Sequence, residues 1–207
     1  MPFVLPRLYP ITDARLSGLS HAEQVERMAR GGAQVIQLRE KHKDARQFFR
    51  EAEAALRVAR AHGLRLIIND RVDIALALGA DGVHLGQDDL PPEAARHLLG
   101  ERAVIGFSTH NLEQALAASR LPVDYLAIGP IFPTSSKDNP DAIVGLDGLR
   151  RVRAALPALP LVAIGGITPA NALETLAAGA NSLAVISALL ADPAQIEART
   201  RNWMARL

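Results

Sequence analysis

The chain has 207 residues, 49% hydrophobic and 22% charged, with no cysteine. That length suits one domain, and that composition supports a buried core rather than a disordered or fibrous chain. With 23 Lys+Arg against 22 Asp+Glu the formal charge is +1, which excludes a strongly basic nucleic-acid binder, while the lack of thiols excludes a disulfide framework, a thiolate nucleophile and a zinc–thiolate site.

The opening Met1-Pro2-Phe3-Val4-Leu5-Pro6-Arg7 is too short and too broken by proline to read as a signal peptide. No apolar run nears the roughly 18 residues of a membrane span. The default expectation is therefore cytoplasmic, with neither membrane nor nucleic acid as partner.

Short apolar runs recur at 8–11, 35–38, 64–68, 82–85, 103–106, 124–128, 160–164 and 182–185. They lack the polar/apolar alternation of a half-solvated sheet and read as strands buried on both faces. Helical stretches lie between them. Ser20 and Glu23 form a capping box, Thr168-Pro169 and Asp192-Pro193 read as helix starts, and Gly31, Gly63, Gly79, Gly100 and Gly179 stand where helices end. Eight strand–helix units of roughly 26 residues suit a single (β/α)8 TIM barrel, α/β in class, over residues 1–207. The competing doubly wound sheet lacks its glycine-rich loop, since Ile11-Thr12-Asp13-Ala14-Arg15 follows the first strand.

A barrel of this kind carries its chemistry just beyond the strands, at the C-terminal rim. The second strand feeds Gln37-Leu38-Arg39-Glu40-Lys41. A continued strand would turn Gln37, Arg39 and Lys41 to one side as an anion site, and the alternative is a surface salt-bridge strip through Glu40. Asn69-Asp70-Arg71 follows the third strand and Gln87-Asp88-Asp89 the fourth. Asp70 and Asp89 either share a hard cation such as Mg2+ or cap the helices after them. His84, inside the fourth strand, is equally a packing residue or a catalytic one. Ser108 or Thr109 contacts a ligand or starts the helix containing Glu113. The sixth strand leads into Gly129-Pro130-Ile131-Phe132-Pro133-Thr134-Ser135-Ser136-Lys137, a loop with hydroxyls and a cation at its far side, before a helix expected near Leu146. Gly165-Gly166 after the seventh strand and Ile186-Ser187 after the eighth occupy the positions where barrels often bind phosphate through backbone amides.

Two separated anion regions and a carboxylate pair suggest a diphosphate substrate and a second, monophosphate substrate. The ordered series Leu8-Tyr9-Pro10-Ile11-Thr12-Asp13, Gln37 through Lys41, Asn69-Asp70, Ala80 through Gln87, Ser108-Thr109-His110, Gly129 through Thr134 and Ala163 through Ile167 resembles the motif series of the thiamine-phosphate synthase family. The resemblance runs from about Leu8 to about Ala188.

That resemblance implies a (β/α)8 enzyme condensing 4-amino-2-methyl-5-(diphosphooxymethyl)pyrimidine with 4-methyl-5-(2-phosphooxyethyl)thiazole, in thiamine biosynthesis. It assigns Gln37, Leu38, Arg39, Glu40 and Lys41 to the pyrimidine diphosphate, with Arg39 and Lys41 supplying charge. Asn69 becomes a pyrimidine contact, and Asp70 and Asp89 become Mg2+ ligands. Ser108 lies near the reacting pyrimidine. Thr134, Ser135 and Ser136 fall on the thiazole-phosphate loop, and Lys137 on the pyrophosphate. Gly166, Ile186 and Ser187 complete the phosphate set. The loop departs from the family's usual Pro-Thr-x-Thr-Lys at Ser136, which keeps a hydroxyl and loses a methyl. By the same pattern the pyrimidine methylene–oxygen bond breaks first, and the thiazole nitrogen then attacks the methylene cation. A thiazole tautomerase of the same superfamily, which carries histidine where Pro130 stands, is the nearest competitor. A noncatalytic phosphate-binding barrel and a Schiff-base aldolase using Lys41 or Lys137 are the others. The sequence admits a homodimer as readily as a monomer.

Overall fold

A computed structural model describes residues 4–134 and 142–207. Eight parallel strands follow one another around a barrel: β1 (Leu8–Pro10), β2 (Val35–Leu38), β3 (Arg65–Asn69), β4 (Gly82–Leu85), β5 (Val104–Thr109), β6 (Tyr125–Ile128), β7 (Leu161–Ile164) and β8 (Ser182–Val185). Their hydrogen-bonded order is β1-β8-β7-β6-β5-β4-β3-β2. The ring is drawn together between β1 and β2 by the parallel bridge of Ile11 with Gln37, where the Thr12 N–H donates to the Gln37 carbonyl at 2.9 Å. The (β/α)8 barrel expected from the alternation of apolar runs is thus the observed fold. No helix among the described residues is long and apolar enough to cross a membrane.

Strand alternation sorts the apolar residues into two cores. Leu8, Ile36, Leu38, Leu66, Ile68, Val83, Leu85 and Leu126 face outward and pack under the helices. Tyr9, Ile11, Val35, Ile67, Val104, Tyr125, Ala127, Val162 and Ala184 form a second cluster inside the barrel. The helix His21–Arg30 starts as expected at the Ser20/Glu23 capping box, each partner satisfying the other's backbone N–H. Asp192 accepts from the Ala194 N–H ahead of the short turn Pro193–Gln195 and the last helix, Ile196–Arg206.

At the N-terminal face one device recurs before alternate strands. Asp81 accepts from the Leu66 N–H at 2.9 Å, Asp124 from Ile105 at 2.7 Å, and Asn181 from Leu161 at 2.9 Å. Arg96 and Arg153 lock onto two of these groups and onto neighbouring carbonyls. This face is knitted shut by side chain to backbone bonds, which leaves the opposite rim for chemistry.

Four local expectations need correction. β2 ends at Leu38, so Arg39 and Lys41 are carried by a loop rather than by a continued strand. β5 runs on to Thr109, because Phe107 and Thr109 still pair with β6 and the Thr109 hydroxyl donates to the Ala127 carbonyl at 2.9 Å. Neither Ser108 nor Thr109 caps the next helix; Asn111 does, accepting from the Gln114 N–H. Thr168-Pro169 forms a turn closed by the Thr168 N–H on the Asn171 side chain, and the helix waits until Ala172.

Candidate functional site

Four consecutive strands each turn a polar side chain into the barrel near its C-terminal end: Gln37, Asn69, His84 and Ser108. The facing wall is apolar, built by Ile11, Ala127, Ile164, Ala184 and Ile186. The interior therefore has one hydrogen-bonding side and one greasy side.

The polar wall is knitted together. His84 lies between Ser108 Oγ, 2.8 Å from Nε2, and the Tyr125 hydroxyl, 3.0 Å from Nδ1. Burial pushes its pKa down from 6.5 to about 4, so the ring is neutral at pH 7. Asn69 donates from its amide to the His84 carbonyl at 3.3 Å, whereas its Oδ1 is buried with no partner. A buried acceptor left unpaired is costly.

Above this wall sit the charges. Arg39 is held by Asp13 at 3.1 Å, and its backbone N–H donates to the Thr12 hydroxyl at 3.2 Å. Lys41 pairs with Asp70. Asp70 occupies the left-handed region at φ 63, which Asp tolerates better than most residues. Its side chain does not cap the following helix, Val72–Leu78, which has no side-chain cap. Burial raises the Asp70 pKa, the nearby Asp89 carboxylate raises it further, and the Lys41 ammonium opposes both. Asp89 accepts from the Gly86 N–H at 2.6 Å and does not cap the helix Pro92–Leu99. The helix-cap reading of the two aspartates thus falls away. Among the described residues no group of three or more His, Asp or Glu forms a metal cluster.

Glu40 turns away from this cavity. Its carboxylate takes the His42 N–H at 2.8 Å, His21 Nε2 at 3.2 Å and Lys43 at 3.7 Å, with 5% of its side chain exposed. Burial works against its charge, yet these donors hold its pKa below the usual range. Leu38 is wholly buried in the outer core, so only its backbone can face the rim.

Across the barrel, Gly165 and Gly166 have positive φ of 98° and 65°. A Cβ on Gly165 would lie 2.5 Å from Pro130 Cβ, and one on Gly166 would lie 2.6 Å from the Pro133 carbonyl. The Ile131 N–H reaches the Ile164 carbonyl at 2.9 Å and the Phe132 N–H reaches Gly165 at 3.0 Å. Glycine is needed here for the close seating of the β6 loop as well as for any ligand. Ile186 immediately precedes the short helix Ser187–Leu190, whose first residue is exposed. Thr134 is half-buried at the end of the described loop, and Ser135, Ser136 and Lys137 lie outside the described residues.

Sequence reasoning singled out the rim residues but not their supports. Thr12 and Asp13 brace Arg39, His21 ties Glu40 to Thr12 through its Nδ1 at 2.8 Å, and Tyr9 and Tyr125 stand behind His84. A signal existed for Tyr125: it pairs in register with Gly106, and a Cβ on Gly106 would overlap the Tyr125 ring.

An ionic rim over a polar inner wall, at the C-terminal ends of eight parallel strands, defines a (β/α)8 barrel with its site in the usual place for that class. A family model for thiamine monophosphate synthase matches residues 8–189, and the chain belongs to that family. It is similar to the thiamine-phosphate synthase of Chloroflexus aurantiacus, 51% identical over 89% of this chain and 85% of the relative. It is similar also to that of Koribacter versatilis, 49% identical over 92% of each chain. Among solved structures, thiamine phosphate pyrophosphorylase from Pyrococcus furiosus superposes with a TM-score of 0.86 at 36% identity, covering 97% of this chain and 94% of that one. As a member of this family the chain is an enzyme of the transferase class.

Proposed function

We propose that this chain, working in the cytoplasm as one catalytic domain over 1–207, joins 4-amino-2-methyl-5-(diphosphooxymethyl)pyrimidine to 4-methyl-5-(2-phosphooxyethyl)thiazole. The products are thiamine phosphate and pyrophosphate. The observation that carries the reading is the gathering of Arg39, Lys41, Asp70 and Asp89 above a buried Asn69 acceptor that lacks a donor. A 4-aminopyrimidine offers such a donor, and its diphosphate would reach the charges above.

Arg39 and Lys41 bind diphosphate oxygens, Arg as a planar fork and Lys as a mobile point charge. Gln37 and the Leu38 backbone line the same pocket, and Glu40 acts by holding their loop. Ser108 donates to the diphosphate from below. Thr134, Ser135 and Ser136 take the thiazole phosphate together with Gly166, Ile186 and Ser187, and Lys137 takes the departing pyrophosphate.

The donor set suits Mg2+: two carboxylates, close enough for one to raise the other's pKa, offer hard oxygens and leave positions for water and pyrophosphate. Asp70 and Asp89 would hold it, and when bound it would stabilise negative charge on the leaving group. The methylene–oxygen bond breaks with its electron pair leaving on pyrophosphate, and the electron-rich pyrimidine carries the methylene cation. The thiazole nitrogen then supplies its lone pair to form the new carbon–nitrogen bond. No protein base is required, so the chain's tasks are to align two substrates, stabilise the leaving charge and exclude water. The apolar wall of Ala127, Ile164 and Ile186 serves the last task.

The test is incubation of the purified protein with both substrates and Mg2+. Thiamine phosphate and pyrophosphate should appear in equal amounts. Isomerisation of a thiazole phosphate without condensation would replace this reading with that of a tautomerase.

A further inference from the structure

A buried run of polar groups crosses the inside of the barrel and ends at Ser108. Gln37 Nε2 reaches the Tyr9 hydroxyl at 3.5 Å, the two tyrosine hydroxyls are 2.8 Å apart, Tyr125 reaches His84 Nδ1 at 3.0 Å, and His84 Nε2 reaches Ser108 Oγ at 2.8 Å. Gln37, Tyr9, His84 and Tyr125 are at most 6% exposed. The Tyr125 ring stacks on His84 at 20°, centroids 5.5 Å apart, and meets Tyr9 edge-on. Gly106 leaves the room that Tyr125 fills.

Hydrogen accounting gives the run a direction. Each hydroxyl has one hydrogen, and the neutral imidazole has one N–H. With the Gln37 amide donating to Tyr9, an unbroken run sends the Tyr9 hydrogen to Tyr125 and the Tyr125 hydrogen to His84 Nδ1. Nδ1 is then an acceptor, the ring N–H sits on Nε2, and it donates to Ser108 Oγ. The Ser108 hydrogen remains for a ligand. In the reverse order Tyr9 would accept from both Tyr125 and Gln37, its own hydrogen would find no acceptor within the run, and Ser108 would turn lone pairs alone toward an anion. Both ends of the run disfavour that order.

We propose that Tyr9, Tyr125 and His84 are a positioning relay that fixes His84 as its Nε2–H tautomer and so presents Ser108 as a hydrogen-bond donor to a diphosphate oxygen. The anionic partner of Ser108 rests on the reading under Proposed function; at the other end the tautomer rests on the Gln37–Tyr9 contact, which needs no ligand. None of the three touches substrate in this scheme.

The tautomer can be read from the 15N-imidazole spectrum of the free protein at neutral pH, with the His84 signal assigned by its loss in His84→Gln. A pyrrole-type Nε2 and a pyridine-type Nδ1 are expected. Tyr125→Phe keeps the ring and removes the hydroxyl, so the signal should move toward a mixture of tautomers. In turnover, Tyr125→Phe should lower kcat about tenfold while the KM for the thiazole phosphate stays within about twofold. His84→Gln, whose amide still donates to Ser108, should retain far more activity than His84→Leu. A pyrrole-type Nδ1 in the unaltered protein would overturn the relay, as would Tyr125→Phe with normal kcat or His84→Gln no better than His84→Leu. The spectrum needs no substrate, so a wrong tautomer defeats the relay, whereas absence of turnover in the unaltered protein defeats the functional reading.

Discussion

Lys41 and Asp70, on the loops that leave neighbouring strands β2 and β3, form an ion pair at the mouth of the barrel. In the free protein the ammonium thus covers a half-buried carboxylate that also feels Asp89. If Mg2+ and diphosphate bind as proposed, Asp70 would face the metal and Lys41 the phosphate oxygens, so neither charge would be left alone in a desolvated site. Losing an outer-shell partner of a metal ligand already costs about 10–100-fold in metal affinity, so losing the ligand itself should cost at least about tenfold. Asp70→Asn and Asp89→Asn should therefore raise the Mg2+ concentration for half-maximal turnover by that factor. Asp88 is exposed, and Asp88→Asn should leave the Mg2+ curve in place. A shifted curve for Asp88→Asn with unshifted ones for the other two would reassign the metal ligands.

The two anion regions should be separable by binding. Arg39→Ala should weaken the pyrimidine diphosphate and spare the thiazole phosphate, and Ser187→Ala should do the reverse. Each loss removes a hydrogen bond to a charged group, roughly 1.5–3 kcal/mol or about 10- to 150-fold in Kd. Calorimetric titration of each variant with each substrate checks the pattern, and crossed selectivity would exchange the two subsites.

Bond breaking ahead of attack predicts sensitivity to the electronics of the pyrimidine. Trifluoromethyl in place of its methyl group withdraws electron density from the methylene cation. Single-turnover formation of the product at saturating substrates should slow strongly, with binding and product release removed as causes. A nearly normal rate would instead indicate direct displacement.

Gly106→Ala should be disproportionately harmful for the addition of one methyl group. The new Cβ overlaps the Tyr125 ring, which is fully buried and cannot move aside into solvent. Overpacking of this sort costs about 1–3 kcal/mol, readable as a lower urea midpoint. Gly63→Ala is a poor control because of its positive φ, so Ala61→Gly, at an exposed helix end, serves better and should change stability by less than about 1 kcal/mol.

Acid should loosen the barrel through His84. Its folded pKa is about 4 against an ordinary 6.5. Above pH 6.5 both folded and unfolded rings are neutral and the stability is fully present. As pH falls from 6.5 to about 4 the unfolded chain takes up a proton that the folded ring refuses, and stability drops by on the order of 3 kcal/mol before levelling. Urea unfolding of the unaltered protein and of His84→Gln over this range should show the shallower decline in the variant. Parallel declines would mean that His84 does not carry this dependence.

Sequence alone determined the barrel. Short apolar runs without alternation read as strands covered on both faces, and their spacing leaves room for one helix between each pair. Ser20/Glu23 and Asp192-Pro193 were legible because caps act within one turn of chain. The rim residues Arg39, Lys41, Asn69, Asp70 and Asp89 were legible because polar types are conspicuous just past an apolar run. Only the tertiary structure decided what each of them touches. Asp13 meets Arg39, His21 meets Glu40, and Lys41 meets Asp70 across separations of 19–29 residues, and no local pattern encodes a partner on another strand. The same holds for Glu40, conspicuous at the rim in the sequence yet turned into the helix layer, and for Thr109, kept in β5 by a carbonyl on β6. Inside the barrel, Gln37, Tyr9, Tyr125, His84 and Ser108 come from five different strands. Their hydrogen bonds exist because closure of the ring brings those strands face to face, and that closure is a property of the whole chain.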